Sequence, residues 1–380
     1  MEIKKLSNEI DVQQYLKDLG VDSGGIKILA SKAQTHIFYI KDLAVGGANI
    51  LKQDALSIGA DLAVPRGTVI AKTPHVDCIL IATTKQLQTL SKKELAQPFG
   101  LKNLAIQLQQ YLSVKIDEKI EIMGILNAND DSFFSGSRFS GESAVARIEA
   151  MIEEGADIID IGGVSTRPNA PVVSVEEELA RVQPVLDAIA ANKLYEKAKF
   201  SIDSYTPVVV QAALEGGFTI VNDITGFEND ALCKLCAEYN ATAVAMHMQG
   251  TPQTMQDNPQ YDDVVLDVYH YLEEQTKKLE SFGINDIVLD VGIGFGKTLD
   301  DNLQLLKHLE HFKMLGKKLL VGASRKSLID KITASPIEKR LAGTLALHLE
   351  AIRNGASIIR VHDVYEHKQA LEVYKALQKG

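Results

Sequence analysis

From about residue 116 onward the sequence predicts an α/β fold, a (β/α)8 TIM barrel, preceded by a small N-terminal α/β domain. Three observations carry this. Short apolar runs alternate with longer amphipathic stretches, the rhythm of strands and crossover helices in a parallel sheet. Eight such strands fall within 265 residues, close to the roughly 250 usual for such a barrel. The turn after the first of them, "NANDDSF", lacks the glycine-rich pattern that an open doubly wound sheet places there.

Residues 1–112 do not share the rhythm and are expected to form the separate small domain. There "IKILA" and "THIFYIK" read as strands, and "ANILKQDALSIGADLAV" as a helix after a turn. "DCILIATTKQLQTLSKKEL" reads as a strand followed by a helix. "LKNLAIQLQQYLSVKIDEKI" reads as a helix and a connector into the barrel, which is expected over 116–380. The barrel strands are "EIMGIL" (121–126), "DIIDI" (157–161), "KFSI" (199–202), "FTIV" (218–221), "ATAVAMH" (241–247), "DIVL" (286–289), "KLLVG" (318–322) and "SIIRV" (357–361).

The helices between them carry end signals. "SVEEELARVQPVL" has Ser174 followed by Glu177, a capping box. Thr206 and Pro207 open "TPVVVQAALEGG", and Gly283 ends the longest helical stretch. "SPIEKRLAGTLALHLEAIRNG" is expected to start with a capping box from Ser335 and Glu338, with Pro336 at the first helical position, and to end at Gly355.

Composition excludes several classes. The 380 residues are 46% apolar and 24% charged, with a net charge of -10 and no long basic run, which argues against non-specific nucleic-acid binding. No apolar stretch approaches the roughly 18 residues that span a bilayer. "MEIKKLSNEIDVQQYL" lacks the apolar core of a signal peptide, so a cytoplasmic location and no membrane partner are expected. Cys78, Cys233 and Cys236 are too few and too spaced for a disulfide framework, and the Cys233–Cys236 pair reads as two small residues on a helix face.

"LDVGIGFGKTLDDN" (289–302) invites a nucleotide-binding reading. It fails both tests. A phosphate-cradling G-x-x-x-x-G-K-[ST] loop needs glycine where Val291 stands, and a G-x-G-x-x-G turn needs glycine where Lys297 stands. The glycines signal a sharp turn and close backbone approach, and Lys297 reads as pairing with a helix face rather than with a phosphate.

In a barrel, sites gather where the strands end at the C-terminal rim. Each of the eight runs ends in polar residues: Asn127; Thr166 and Arg167; Asp203; Asn222 and Asp223; His247 and Gln249; Asp290; Ser324, Arg325 and Lys326; Arg360 and His362. Unpaired charges there would be costly, so the rim is read as a functional site. Arg167, Lys326, Arg360 and His362 suit an anion. Asp203, Asp290 and Asn222 suit the paired N–H donors of an aminopyrimidine edge.

With those residues in view, the chain resembles dihydropteroate synthases. "MGILN", "DSF", "DIIDIGG", "STRP", "SID", "VNDITG", "MHMQGTPQTMQ", "LDVGIGFGKT", "VGASRKS", "RLAGTLA" and "RVHDV" occur in that family's order and spacing, from about residue 120 to the end. The resemblance implies a barrel enzyme, a transferase of folate biosynthesis and sulfonamide target. It joins 6-hydroxymethyl-7,8-dihydropterin diphosphate to 4-aminobenzoate, using Mg2+, and family members are commonly homodimers. By the same resemblance Asp203, Asn222, Met246, Asp290, Gly322 and Lys326 hold the pterin. Asn127, Arg360 and His362 hold the diphosphate, with Asn127 on the metal, and Thr166, Arg167, Pro168, Phe295 and Ser324 form the aminobenzoate site. Asp203, Lys326, Arg360 and His362 are then the catalytic set.

The first loop departs from the family's N-x-T-P-D-S-F, since Asn129 and Asp130 stand where Thr-Pro is usual. Residues 1–112 lie outside the family's common core. Two other readings stay open: a non-catalytic pterin-binding protein with an altered first loop, and a pterin-binding methyltransferase barrel.

Overall fold

The structure is a computed structural model and describes residues 1–7, 10–114, 119–128, 141–164 and 173–378. The chain divides into two compact units, one built mainly from Met1–Lys115 and the other from Ile116–Lys375.

The first unit is a three-stranded antiparallel sheet with helices. Strands β1 (Thr35–Ala44), β2 (Asp61–Ala63) and β3 (His75–Thr83) lie in the order β1-β3-β2. One face of β3 buries Val76, Cys78, Leu80 and Ala82. These pack with Leu51 and Ala55 of the helix Val45–Ser57, Leu87 and Leu90 of Thr84–Lys93, and Leu101 and Leu108 of Leu101–Ser113. Thr83 and Gln86 close a capping box at the start of Thr84–Lys93. The expected strand "IKILA" is instead part of the helix Ser23–Ala33, whose first turn is capped by Asp22 accepting from the Gly24 N–H. A five-residue apolar run does not by itself distinguish a strand from one face of a helix.

The second unit is a closed parallel barrel. Its strands are β4 (Glu121–Asn127), β5 (Ile158–Gly162), β6 (Lys199–Asp203), β7 (Ile220–Asp223), β8 (Thr242–Met246), β9 (Ile287–Asp290), β10 (Lys318–Val321) and β11 (Ile358–Val361). Neighbours pair in sequence order, and β11 returns to β4. The strands are short and apolar because both faces are buried, one by the helices and one by the barrel interior.

The barrel interior is layered. Met123, Ile158, Ile220, Val244, Val288, Leu320 and Ile358 form a buried apolar plug across it. Side chains alternate along a strand, so residues two further on share its side. That places Asp160, Asn222, Met246, Asp290, Gly322 and Arg360 in the next layer toward the C-terminal rim. The fold thereby gathers residues from six strands into one layer, polar at Asp160, Asn222, Asp290 and Arg360, on an apolar floor. At the opposite end Glu121 accepts from Lys199 at 2.9 Å and Lys318 at 3.2 Å. Burial pushes the Glu121 carboxyl up, but these two lysines outweigh it and hold it below the usual range.

Local signals explain most helix starts. Ser174 accepts from the Glu177 N–H at the start of Val175–Ala191, but the Glu177 carboxylate pairs with Arg181 instead of closing the expected box, and Asp263 caps Val264–Ser281. Pro207 opens Pro207–Glu215 as expected, but the Thr206 side chain makes no cap bond and donates to Glu178 instead. The capping box expected at Ser335 and Glu338 does not form. Ile337–Lys339 is a 3-10 turn and the α-helix begins at Leu341. Ser335 Oγ is taken by the Thr333 carbonyl, and Arg340 reaches back to the Ser335 and Arg325 carbonyls. Cys233 and Cys236 are buried on the helix Asp230–Glu238, as their spacing suggested.

Candidate active site

Arg360 is the hub of the polar ring. Its Nε donates to Asp160 Oδ2 and its Nη2 to Asp203 Oδ2, each at 2.6 Å. Asn222 Nδ2 reaches the same Asp160 oxygen at 3.3 Å. β5, β6 and β11 thus meet through one guanidinium, and β7 joins them through Asp160. Burial raises the Asp203 carboxyl to about 7 against the opposing pull of Arg360. Burial works against the charge on Arg360, yet Asp160 and Asp203 raise its pKa above the usual range. Asp203 does not cap the following helix.

Asp160 was not a sequence candidate. It is fully buried, and its second oxygen, Oδ1, has no hydrogen-bond partner among the described residues. The signal was there: an aspartate inside the apolar run "DIIDI" must have a partner.

Asp290, at the end of β9, accepts from the Gly292 N–H at 2.8 Å. Burial raises its pKa, and Lys326 opposes that rise. Lys326 Nζ donates to the Ile293 carbonyl and lies 4.3 Å from the centre of the Phe295 ring, a cation–π contact. Burial pushes Lys326 down to about 8, with Asp290 working against it. The β9 loop therefore carries the acid, the lysine's backbone partner and the aromatic ring together. Met246 ends β8 beside Asp290. An atom added at Gly322 would sit 3.7 Å from Arg360 Cβ, so the glycine leaves the space beside Arg360 open.

The glycines of the opening motif have a geometric reason. Gly292 and Gly296 have φ of +68° and +60°, and an added Cβ would lie 1.9 Å from the His247 carbonyl oxygen and 2.4 Å from that of Gln249. The loops after β8 and β9 touch backbone to backbone. Lys297 neither binds a helix face nor points outward. It is 1% exposed and donates to His247 Nδ1 at 2.9 Å, the His247 carbonyl at 3.2 Å and the Phe295 carbonyl at 2.9 Å. Burial, and then the Lys297 charge, push His247 down to about 2, so its ring is neutral and packs edge-on against Tyr271. Asp223 serves its turn, accepting from the Thr225 and Phe227 N–H groups.

After β10 and β11, Ser324 and His362 are joined twice. Ser324 Oγ is 2.9 Å from His362 Nδ1 and accepts from the His362 N–H at 3.2 Å. Arg325 pairs with Asp363 through Nε at 3.0 Å and through Nη2. Asn127 ends β4, its Oδ1 3.7 Å from where a Cβ on Gly162 would lie. Thr166, Arg167 and Pro168, and the first loop from Asn129 on, lie outside the described residues. A cavity of about 400 Å3 opens instead by Asp157, Lys199 and Thr219. It carries none of the candidate residues, and Lys199 there is engaged by Glu121.

Residues 123–362 match the sequence profile of pterin binding enzymes. A dihydropteroate synthase of Haemophilus influenzae is 43% identical over 259 residues, which span 67% of this chain and 93% of that relative. The chain belongs to the dihydropteroate synthase family. The dihydropteroate synthase of Xanthomonas albilineans, solved with 4-aminobenzoic acid, shares 40% identity and superimposes with a TM-score of 0.64 over 68% of this chain and 93% of its own. A bifunctional dihydropteroate synthase/dihydropteroate reductase of Helicobacter pylori is 40% identical over 379 residues, 100% of both chains. The family's barrel thus accounts for the second unit, and the H. pylori relative matches the first unit as well.

Proposed function

We propose that the barrel condenses 6-hydroxymethyl-7,8-dihydropterin diphosphate with 4-aminobenzoate to give 7,8-dihydropteroate and diphosphate. The observation that carries this is the ring of Asp160, Asn222, Asp290 and Arg360 on an apolar floor, with Asp203 bonded into it. Carboxylates and an amide at this depth match the donor-rich edge of a pterin. Asp203, Asn222, Asp290 and Lys326 hold that heterocycle, with Met246 and Gly322 lining its pocket. Phe295 and Ser324, with Thr166, Arg167 and Pro168, form the aminobenzoate site.

In the reaction the aniline nitrogen forms a bond to the exocyclic carbon of the pterin as the bond from that carbon to the diphosphate oxygen breaks. The diphosphate leaves with the electron pair, and the nitrogen gives up a proton. Asp203 and Asp290 favour positive character on the ring and its exocyclic carbon. Arg360 and His362 stabilise charge on the leaving diphosphate. The rest is positioning, because aniline nitrogen is nucleophilic without a strong base.

The described residues contain no group of three or more His, Cys, Asp or Glu that could hold a metal. Asn127, a single amide oxygen, fits Mg2+, which keeps waters and takes further oxygens from a substrate phosphate. When bound, the ion would offset charge on the diphosphate. Purified protein given both substrates and Mg2+ should release diphosphate and dihydropteroate in equal amounts. Pterin binding without product would favour the non-catalytic reading. No helix among the described residues is long and apolar enough to cross a membrane. On the family resemblance the protein acts as a cytoplasmic homodimer, and light scattering would test the dimer.

A second reading concerns the first unit. The whole-length match to the H. pylori bifunctional enzyme supports a further reduction, of dihydropteroate to tetrahydropteroate, that depends on residues 1–115. That step takes a hydride and a proton. Full-length protein assayed with dihydropteroate and NADH or NADPH, with and without added flavin, should form tetrahydropteroate. Failure with every donor rejects the reading.

A further inference from the structure

Two helix histidines that the reaction does not use lie behind the rim. His348, on Leu341–Arg353, and His367, on Val364–Gln378, are each 1% exposed. Their rings meet with His348 Nδ1 2.9 Å from His367 Nε2. The Ala323 N–H donates to His348 Nε2 at 3.0 Å. His367 Nδ1 lies 2.6 Å from the Asp363 carbonyl oxygen.

These contacts admit one proton arrangement. A backbone amide can only donate, so His348 Nε2 carries no proton. A neutral imidazole then bears its proton on Nδ1, which His367 Nε2 must accept. His367 is left with Nδ1–H, which donates to the Asp363 carbonyl. Burial lowers the pKa of both rings, and the charges of Lys326 and His362 push His348 further the same way, so neutral rings are consistent throughout. The result is a directed chain from Ala323 through two imidazoles to Asp363.

Its ends matter. Ala323 directly precedes Ser324, and Asp363 directly follows His362. The same two loops are tied again by Ser324 to His362 and by Arg325 to Asp363. Those two ties lie at the partly exposed rim, while the histidine tie is buried beneath them.

We propose that His348 and His367 are positioning residues of the synthase site, a fixed-polarity relay that sets the β10 loop, with Ser324 and Lys326, against the β11 loop, with His362. Its kinetic consequence rests on the synthase reading above; its proton arrangement does not.

The test uses the full chain labelled with 15N-histidine. Ring two-bond 1H–15N spectra at neutral pH should show both residues with the proton on Nδ1 and a bare Nε2, the signals assigned from His348→Gln and His367→Gln. A proton on Nε2 of either ring overturns the relay. His348→Gln keeps an acceptor near Nε2, whereas His348→Asn places its amide nearer Nδ1. The Asn variant should raise the KM for aminobenzoate about tenfold, the scale of one lost buried hydrogen bond, with kcat less affected. The Gln variant keeps the Ala323 bond but loses the link to His367, so its KM for aminobenzoate should rise less, by about threefold. Lower melting temperatures with an unchanged KM in both variants would make the pair merely structural and overturn the proposal. Should the Asn variant not fold, an unchanged KM in the Gln variant overturns it equally well. If wild-type protein makes no dihydropteroate, the synthase reading fails, and the ring spectra still decide the relay.

Discussion

Lys297 Nζ lies 2.9 Å from His247 Nδ1, with both side chains buried and no carboxylate among the described residues bonded to the lysine. The ammonium has three donors and finds three acceptors, two of them carbonyls. Neutral acceptors offset the loss of water only in part, and burial pushes Lys297 down to about 7, with Asp290 opposing. In the unfolded chain this lysine titrates near the ordinary value of about 10.4. Between these two values the unfolded chain binds more protons than the folded one, so the lysine's contribution to stability must rise with pH. The stability of wild type relative to Lys297→Met should therefore climb from neutral pH toward about pH 10, by at most about 1.4 kcal/mol per pH unit. Urea unfolding of both proteins across that range checks it; a flat difference would show Lys297 titrating normally.

Asp160 holds Arg360 from below. Asp160→Asn leaves the guanidinium with one carboxylate in a site where water is scarce. Breaking a buried pair costs on the order of 3 kcal/mol. The variant should lose about that much stability by denaturant unfolding, and turnover should fall at least about tenfold because Arg360 is no longer oriented. Unchanged turnover would mean that Asp203 alone fixes the arginine.

Asp203→Ala and Lys326→Ala should each weaken pterin binding by about 2 kcal/mol, or roughly thirtyfold, the scale of one charge-assisted hydrogen bond. Ser324→Ala should leave pterin affinity unchanged and raise the KM for aminobenzoate. Calorimetry with the pterin and steady-state kinetics separate the two. Equal, small effects from all three variants would count against this division of the rim.

Gly296→Ala cannot be absorbed by a side-chain shift, because the new atom would meet the Gln249 backbone at 2.4 Å and 2.8 Å. The loops after β8 and β9 must part, moving Phe295. A loss of several kcal/mol is expected from the overlap and the positive φ together, with aminobenzoate use impaired more than pterin binding in whatever folded protein remains. Thermal unfolding and substrate titration report the two effects.

If the ion is carried largely by substrate oxygens, chelation should abolish synthase activity without unfolding the protein. Added Mg2+ should restore activity, and Asn127→Ala should raise the Mg2+ concentration needed. A melting temperature that falls sharply on chelation would point to a structural ion instead.

Much of this molecule was legible in its residues. The alternation of apolar runs gave the eight barrel strands because each is buried on both faces, and polar residues at their ends marked the rim. Asp203, Asn222, Asp290, Lys326 and Arg360 all fall in one cluster. The roles within it were less legible. Asp160 hid inside a strand, since a run of isoleucines masks the parity that turns one residue inward. Lys297 read as pairing with a helix face because sequence cannot show that a neighbouring loop supplies its acceptors. His348 and His367 are 19 residues apart on different helices, and only the fold brings their rings together. "IKILA" was misread because a short apolar run fits either period, and Ser335 because a serine before Pro-x-Glu can cap a helix or turn back on itself.

The apolar plug of Met123, Ile158, Ile220, Val244, Val288, Leu320 and Ile358 makes the barrel blind-ended. With the pterin seated on this plug as proposed, it is reached from the C-terminal rim and is expected to load before the benzoate, which initial-rate kinetics would show as ordered addition. Whatever occupies the outer seat bars the exit of what lies beneath. A benzoate mimic that occupied this seat would therefore be expected to slow escape of the pterin beneath it as well as compete for entry.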